Sequence, residues 1–214
     1  MLVLASQSPR RQELLRNAGL EFTTCPADVP EVLGEGEGPT EFARRLARDK
    51  AIATLERIAQ FGDPKMPQHR SLPLCPEVAA LTSSVLDGSL RVLGADTVVI
   101  VDEHILGKPQ DKQDAARMLR LLSGRRHQVT TGVCLLGQDF EDVRAETTDV
   151  TFQELSDDDI RAYIETGEPM DKAGAYAIQG IASRWIPRIE GCYFNVVGLP
   201  VSLVCRMLRE HEGR

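Results

Sequence analysis

No stretch of this sequence stays apolar for long. The strongest run, Val98–Val101, is far short of the roughly 20 residues that cross a bilayer, so no membrane span is expected. The N-terminus reads Met-Leu-Val-Leu-Ala-Ser and lacks the basic lead and extended apolar stretch of a signal peptide. Cysteine is sparse: Cys25, Cys75, Cys134, Cys192 and Cys205 are scattered, odd in number and free of any C-x-x-C pair. That excludes a disulfide framework and reads as thiols of a reducing compartment, so a cytoplasmic location is expected. The four histidines are equally dispersed and offer no zinc-ligand spacing. Bases are outnumbered, 25 against 32 acids, for a net charge of −7. Such a chain is poorly suited to nonspecific duplex binding, and no nucleic-acid partner is expected. A small polyanion still fits if the bases cluster.

What is present is a chain of 214 residues, 42% hydrophobic and 27% charged. That length buries a core without staples and suits one domain, or one domain with two lobes. Collagen, coiled-coil and wholly disordered classes are excluded. Leu2–Ala5 suits a buried strand. Ser8 and Pro9 open a helix with Leu14, Leu15 and Ala18 inward and Gly19 as its stop. A loop rich in Pro, Gly and Glu covers Pro26–Pro39, and a second helix covers Thr40–Ala59. The segment 62–89 carries four prolines and reads as a loop insertion, with at most one helical turn near Glu77–Leu81. Arg91–Leu93 and Val98–Val101 are β-like, with a short third run after Asp102-Glu103. Asp111 caps a helix whose inner face is Ala115, Met118, Leu119 and Leu122, ending at Gly124. His127–Leu136 and Val143–Leu155 read as long strands, and Ser156 caps a helix with Asp157–Asp159 in its first turn. A strand pair is expected at Trp185–Ile189 and Tyr193–Val197, and Pro200 opens a last helix, Val201–Arg209. Alternating strands and helices predict an α/β protein with a central sheet, expected to be mixed because some connections are hairpin-short.

Several residues depart from plain folding rules. Arg10 and Arg11 occupy a helix first turn, the electrostatically wrong end for cations. With Ser6 and Ser8 they form either a phosphate cradle or a solvated patch. Lys50 falls beside Phe42, Ala43 and Leu46 on the apolar side of its helix, so it either snorkels or meets an anion. Asp96, in Gly94-Ala95-Asp96-Thr97 between two strand-like runs, reads as a strand-edge carboxylate seeking a cation or metal, or as a turn aspartate. Lys108 is pinned between Gly107 and Pro109. The small-sided segment Asp171–Gly180 is either a tight crossover or a backbone surface for a ligand, with Gln179 able to read a base edge. Asp157–Asp159 fit plain helix capping. His127, beside Arg125 and Arg126, is either catalytic or, more simply, a structural residue opening a strand.

In combination these segments resemble the Maf family of nucleoside triphosphate pyrophosphatases. The matching stretches are LASQSPRRQELL (4–15), RLARDKA (45–51), GADTV (94–98), GKP (107–109), MLRLLSGRRHQV (118–129), EPMDKAGAYAIQG (168–180) and IEGCYFNVVGLP (189–200). They span nearly the whole chain, as one domain over 1–214, and 62–89 is the main departure. The resemblance implies an elongated α/β fold, like the inosine-triphosphatase fold, with a cleft between two lobes, and the possibility of a homodimer. It implies hydrolysis of a nucleoside triphosphate between its α and β phosphates, assisted by Mg²⁺ or Mn²⁺. Arg10, Thr97 and the Ala177-Ile178-Gln179-Gly180 ending look like the branch acting on dTTP and UTP. Alternatives are CTP, a modified pyrimidine nucleotide, 7-methyl-GTP, inosine or xanthosine triphosphate, or a septum-formation-type binding protein without turnover. The roles implied are phosphate binding by Ser8, Arg10 and Arg11, added charge from Lys50 and Lys108, and metal binding by Glu31 and Asp96. Asp96 is the expected base, with Gln179 and Thr97 near the base or phosphates.

Overall fold

The structure, a computed structural model, describes residues 1–62, 88–102 and 104–212. The proposed insertion and its helical turn near Glu77–Leu81 lie almost wholly outside them. A seven-stranded mixed sheet forms the centre, in the order β2 (Thr23–Thr24), β1 (Leu2–Leu4), β3 (Arg91–Val101), β5 (Arg126–Leu136), β6 (Glu141–Thr151) and β7 (Arg188–Glu190), with β4 (His104–Leu106) also on β3. The β1 contacts are parallel and the rest antiparallel. The α/β class and mixed sheet therefore agree with the sequence expectation.

Alternation along β3 separates two faces. Val92, Val98 and Ile100 pack under α2 (Pro39–Gly62), while Leu93, Ala95, Val99 and Val101 enter the larger core on the opposite face. That larger core receives α1 (Pro9–Asn17), α3 (Lys112–Leu122), α4 (Asp157–Glu165) and α6 (Val201–Glu210). The buried positions of α2 are Phe42, Ala43, Leu46, Ala47, Ala51, Thr54 and Ile58, a helical stripe rich in alanine. It sits unusually close to the sheet. A Cβ on Gly94 would lie 2.0 Å from the Ala47 carbonyl oxygen, and one on Gly132 would lie 2.2 Å from that of Ala43. The two glycines let a helix backbone rest directly on two neighbouring strands.

Four expectations need correction. Arg91–Leu93 and Val98–Val101 are one unbroken strand, so Gly94–Thr97 is strand interior, not a strand end, although its β1 side is open there. The β5–β3 ladder runs straight through it, from Val92↔Leu136 to Ile100↔Gln128. The strand expected to reach Leu155 stops at Thr151, since Phe152 and Gln153 turn away to bond Arg125 and Trp185. Tyr193–Val197 is not a strand but a short helix, α5. Gly191 (φ 130°) and Gly198 (φ 126°) bracket it, and β-branched propensity loses to those turns. Finally, Ala18 is exposed rather than inward. The caps at Ser8, Asp111 and Ser156 form, the last as a reciprocal capping box with Asp159.

His127 is structural. It is 2% exposed, and its Nε2 lies 2.8 Å from the Tyr176 hydroxyl, edge-on to Phe152 and Tyr176. Burial pulls its pKa down to about 4 from the ordinary 6.5, against a weaker opposing pull from Asp149. The unfolded chain thus binds a proton the native state refuses. Native stability contributed by the neutral ring is complete above about pH 6.5 and is lost as pH falls toward 4, on the order of 3 kcal/mol in all. Urea unfolding at pH 7 and pH 5 is expected to show roughly 2 kcal/mol of that loss. His127→Phe, which keeps the ring contacts, is expected to flatten this slope.

Candidate active site

A pocket of about 650 Å³ opens where α1, α2, the loop before α2, β3 and the 171–179 segment meet. That volume suits a nucleotide-sized ligand. Asp96 lies on its α2-facing wall, 7% exposed. Lys50, one turn beyond the Gly94–Ala47 contact, extends its ammonium over the same wall. Its Nζ lies 2.6 Å from Asp96 Oδ1 and 2.7 Å from Glu31 Oε1, so one lysine bridges two carboxylates. The apolar-side lysine meets an anion rather than snorkelling.

The two carboxylates differ in electrostatics. Burial pushes the Asp96 carboxyl above its usual range, with Lys50 and Arg11 only partly opposing. At the half-exposed Glu31, burial also acts upward, but the Lys50 hydrogen bond and the charges of Lys50, Lys108 and Arg11 outweigh it and leave its pKa below the ordinary value. A pair of acids driven apart in this way is the usual basis for separate acid and base roles. The backbone just after Glu31 is held by Arg45, which donates to the Val32 carbonyl at 2.8 Å and grips Glu37 through two N–H groups.

The α1 arginines have separate tasks. Arg11 donates to the Gly198 carbonyl (2.8 Å), the Ala95 carbonyl (2.9 Å), Thr97 Oγ1 (3.0 Å) and Ser6 Oγ (3.3 Å). β1 ends at Leu4, leaving the β3 edge carbonyl of Ala95 without a strand partner, and the guanidinium takes that place. Four of its five N–H donors are thus bound to protein. Arg11 first fixes the strand segment that carries Asp96, and only one donor is left for a ligand. Arg10 reaches across the pocket mouth to Asp171 at 3.5 Å. The Ser8 hydroxyl accepts from the Arg11 N–H as the helix cap, and its own proton bonds nothing else among the described residues.

Thr97 points to the face opposite Asp96, where Arg11 and the Thr131 hydroxyl engage it. Lys108 is exposed and lines the pocket. Among the described residues it makes no hydrogen bond or ion pair, and buried Pro109 behind it fixes the loop. Gly107 is tied to the 171–179 segment by the Gly174 N–H at 3.0 Å. Gln179 is exposed in the same lining with its amide unengaged among the described residues. All nine residues singled out by sequence therefore line or frame one pocket.

Lys172, and Ser6 of the candidate cradle, also belong here. Lys172 lines the pocket and bonds the Glu168 carbonyl and the Asp171 carboxylate. Ser6 accepts from the Ser8 N–H at 3.2 Å. The Gly198 carbonyl could have been suspected only from a glycine preceding Leu-Pro.

The chain also resembles known proteins along its whole length. The Maf family profile, described as Maf-like protein, matches residues 1–211. A protein of Koribacter versatilis named dTTP/UTP pyrophosphatase is 53% identical over 208 residues, covering 97% of this chain and 93% of that one. A protein of the same name from Geobacter sulfurreducens is 46% identical over 210 residues, covering 97% and 95%. Another from Pseudoalteromonas atlantica is 42% identical over 216 residues, covering 99% and 100%. With a full-length profile match and relatives this close, and with the motif residues converging on one pocket, the chain belongs to the Maf family.

Proposed function

We propose that this protein is a nucleoside triphosphate pyrophosphatase that cleaves dTTP and UTP to the monophosphate and pyrophosphate, acting in the cytoplasm. The observation that supports it best is Lys50 Nζ lying between the Glu31 and Asp96 carboxylates in a nucleotide-sized pocket. The names of the relatives supply the substrate class.

Charge balance in the pocket is informative. Arg10, Arg11, Lys50, Lys108 and Lys172 face four carboxylates there, so the side chains of the pocket are together nearly neutral. A triphosphate adds about four negative charges, which these residues cannot balance alone. Two carboxylates plus substrate phosphates and water form the oxygen donor set that Mg²⁺ accepts, and Mn²⁺ suits it too. The residues present therefore fit a divalent ion held by Glu31 and Asp96. Such an ion supplies charge neutralisation on the phosphates.

The remaining chemistry belongs to the side chains. Ser8 and Arg10 bind phosphate oxygens at the α1 N-terminus. Lys108, which makes no hydrogen bond or ion pair among the described residues, meets the charge that develops on the leaving pyrophosphate. Asp96 orients the attacking water toward the α-phosphorus and takes its proton, a role favoured by its raised pKa. Glu31, held ionised by Lys50 and Lys108, is the better permanent anion. Gln179 offers an amide donor and acceptor to the pyrimidine edge.

The test is pyrophosphate release from dTTP, UTP, CTP, 7-methyl-GTP, ITP and ATP, with Mg²⁺, with Mn²⁺ and with EDTA. Release led by dTTP and UTP and abolished by EDTA is expected. Release led by 7-methyl-GTP would overturn the substrate assignment, and no release from any nucleotide would overturn the activity. The base assignment gives a separate expectation. kcat/KM falls as pH drops through the Asp96 pKa, because only the ionised carboxylate accepts a proton. Lys50→Met removes a positive neighbour, so that acid limb is expected to move to higher pH while residual turnover persists above it.

A further inference from the structure

The Ala177–Ile181 segment is clipped at both ends by side chains that do not line the pocket. At one end the Ala177 N–H donates to the Tyr163 hydroxyl at 3.1 Å. At the other the Ile181 N–H donates to the Glu168 carboxylate, 3.1 Å from Oε1 and 3.3 Å from Oε2. The clips are joined, because the Tyr163 hydroxyl donates to Glu168 Oε1 at 2.8 Å. Tyr163 is 1% exposed on α4, with its ring edge-on to Trp185, so the clip stands on a rigid helix. Burial, reinforced by Glu168, pushes the phenol pKa up and keeps that proton in place.

The backbone is shaped to accept this carboxylate. A Cβ on Gly180 would lie 2.2 Å from Glu168 Oε1, so only glycine lets the carboxylate sit against the turn. The turn itself is closed by the Gly180 N–H on the Ala177 carbonyl at 3.0 Å. Gln179 projects from the middle of this clamped turn into the pocket, and its amide bonds nothing else among the described residues. An amide with two donors and an acceptor can meet many base edges if its backbone drifts. Selectivity then requires that the backbone not drift.

We infer that Glu168 and Tyr163 are positioning residues for base recognition, fixing the Ala177–Ile181 turn so that the Gln179 amide meets a pyrimidine edge at one place. This rests on the proposed dTTP/UTP reaction and adds to it the residues that set base preference from outside the pocket.

The experiment compares dTTP with dCTP on the full-length protein, starting with the wild type. If the wild type does not cleave dTTP, the proposed reaction fails before the clip is tested. If it does, Glu168→Met keeps roughly the side chain's length but leaves the Ile181 N–H and the Tyr163 hydroxyl without their carboxylate acceptor. The expected result is kcat on dTTP within about threefold of wild type, KM raised about tenfold and the dTTP-to-dCTP preference reduced about tenfold. Tyr163→Phe, which removes only the hydroxyl, is expected to shift preference in the same direction. In a Gln179→Ala background neither change is expected to alter preference further, since the group they position is gone. Unchanged preference in both variants, or an equal shift with and without Gln179, would overturn the inference. So would loss of folding in both, which would mark the clip as a support of the whole fold rather than of the turn.

Discussion

Asp96→Asn is expected to lower turnover of dTTP by about a thousandfold or more, with the protein still folded. The amide keeps the shape and an acceptor for Lys50, but it cannot take a proton and is a poor divalent-ion ligand. The same substitution is expected to raise stability. Because burial holds the native Asp96 pKa above its ordinary value, the native state binds a proton that the unfolded chain has released. Stability is therefore lost as pH rises through that window, and ionised Asp96 is a net cost at neutral pH. Urea unfolding at pH 7 is expected to show Asp96→Asn equal to or more stable than wild type. An inactive variant that is also less stable would point to a structural carboxylate. An active one would mean that Asp96 is not the base.

The second large effect is expected from Gly94→Ala. Its Cβ would meet the Ala47 carbonyl oxygen at 2.0 Å and the Ala51 side chain at 3.0 Å. The obstacle is helix backbone, so no rotamer change and no truncation on α2 relieves it. Forced overpacking of this kind costs about 3 kcal/mol or more, read as a lower denaturation midpoint. Activity is expected to fall beyond what the fraction folded explains, since the displaced helix carries Lys50 away from Asp96 and Glu31. Gly107→Ala is the control: nothing lies within 4 Å of its added Cβ, and it is expected to shift stability by under about 1 kcal/mol. Equal behaviour of the two variants would mean that α2 does not need its close seat.

The contrast between these glycines shows what a sequence makes legible. The elements with strong local signals were readable: capped α1, α3 and α4, and the long, almost wholly buried strand β5. The mixed sheet followed from connections short enough for hairpins. Some candidate site residues stood out because they broke a local rule, whereas Glu31 came from the family resemblance alone. Lys50 stood on an apolar helix face, and paired arginines stood at a positive helix end. What could not be read depends on groups without side-chain chemistry. Gly94 looked like a strand break because glycine is a poor strand former, yet its missing Cβ is what admits the helix. The short α5 looked like a strand because Tyr, Phe and Val favour strands, but flanking glycines at positive φ turn the chain there. Arg11 looked like a phosphate ligand because guanidinium groups match phosphate. No local pattern announces that the carbonyls of Ala95 and Gly198, 84 and 187 residues away, will engage it.

These placements divide the labour among the charged groups. Arg11 fixes β3, the two glycines seat α2, and together they bring Lys50, Asp96 and Glu31 to one point. Lys108 and Gln179, which make no hydrogen bond among the described residues, line the pocket. The most direct test of that arrangement is hydrolysis of dTTP in oxygen-labelled water, with the products separated and the label located. Attack at the α-phosphorus by a water that Asp96 orients predicts label in dTMP and none in pyrophosphate. Label in pyrophosphate, or products of dTDP and inorganic phosphate, would contradict it.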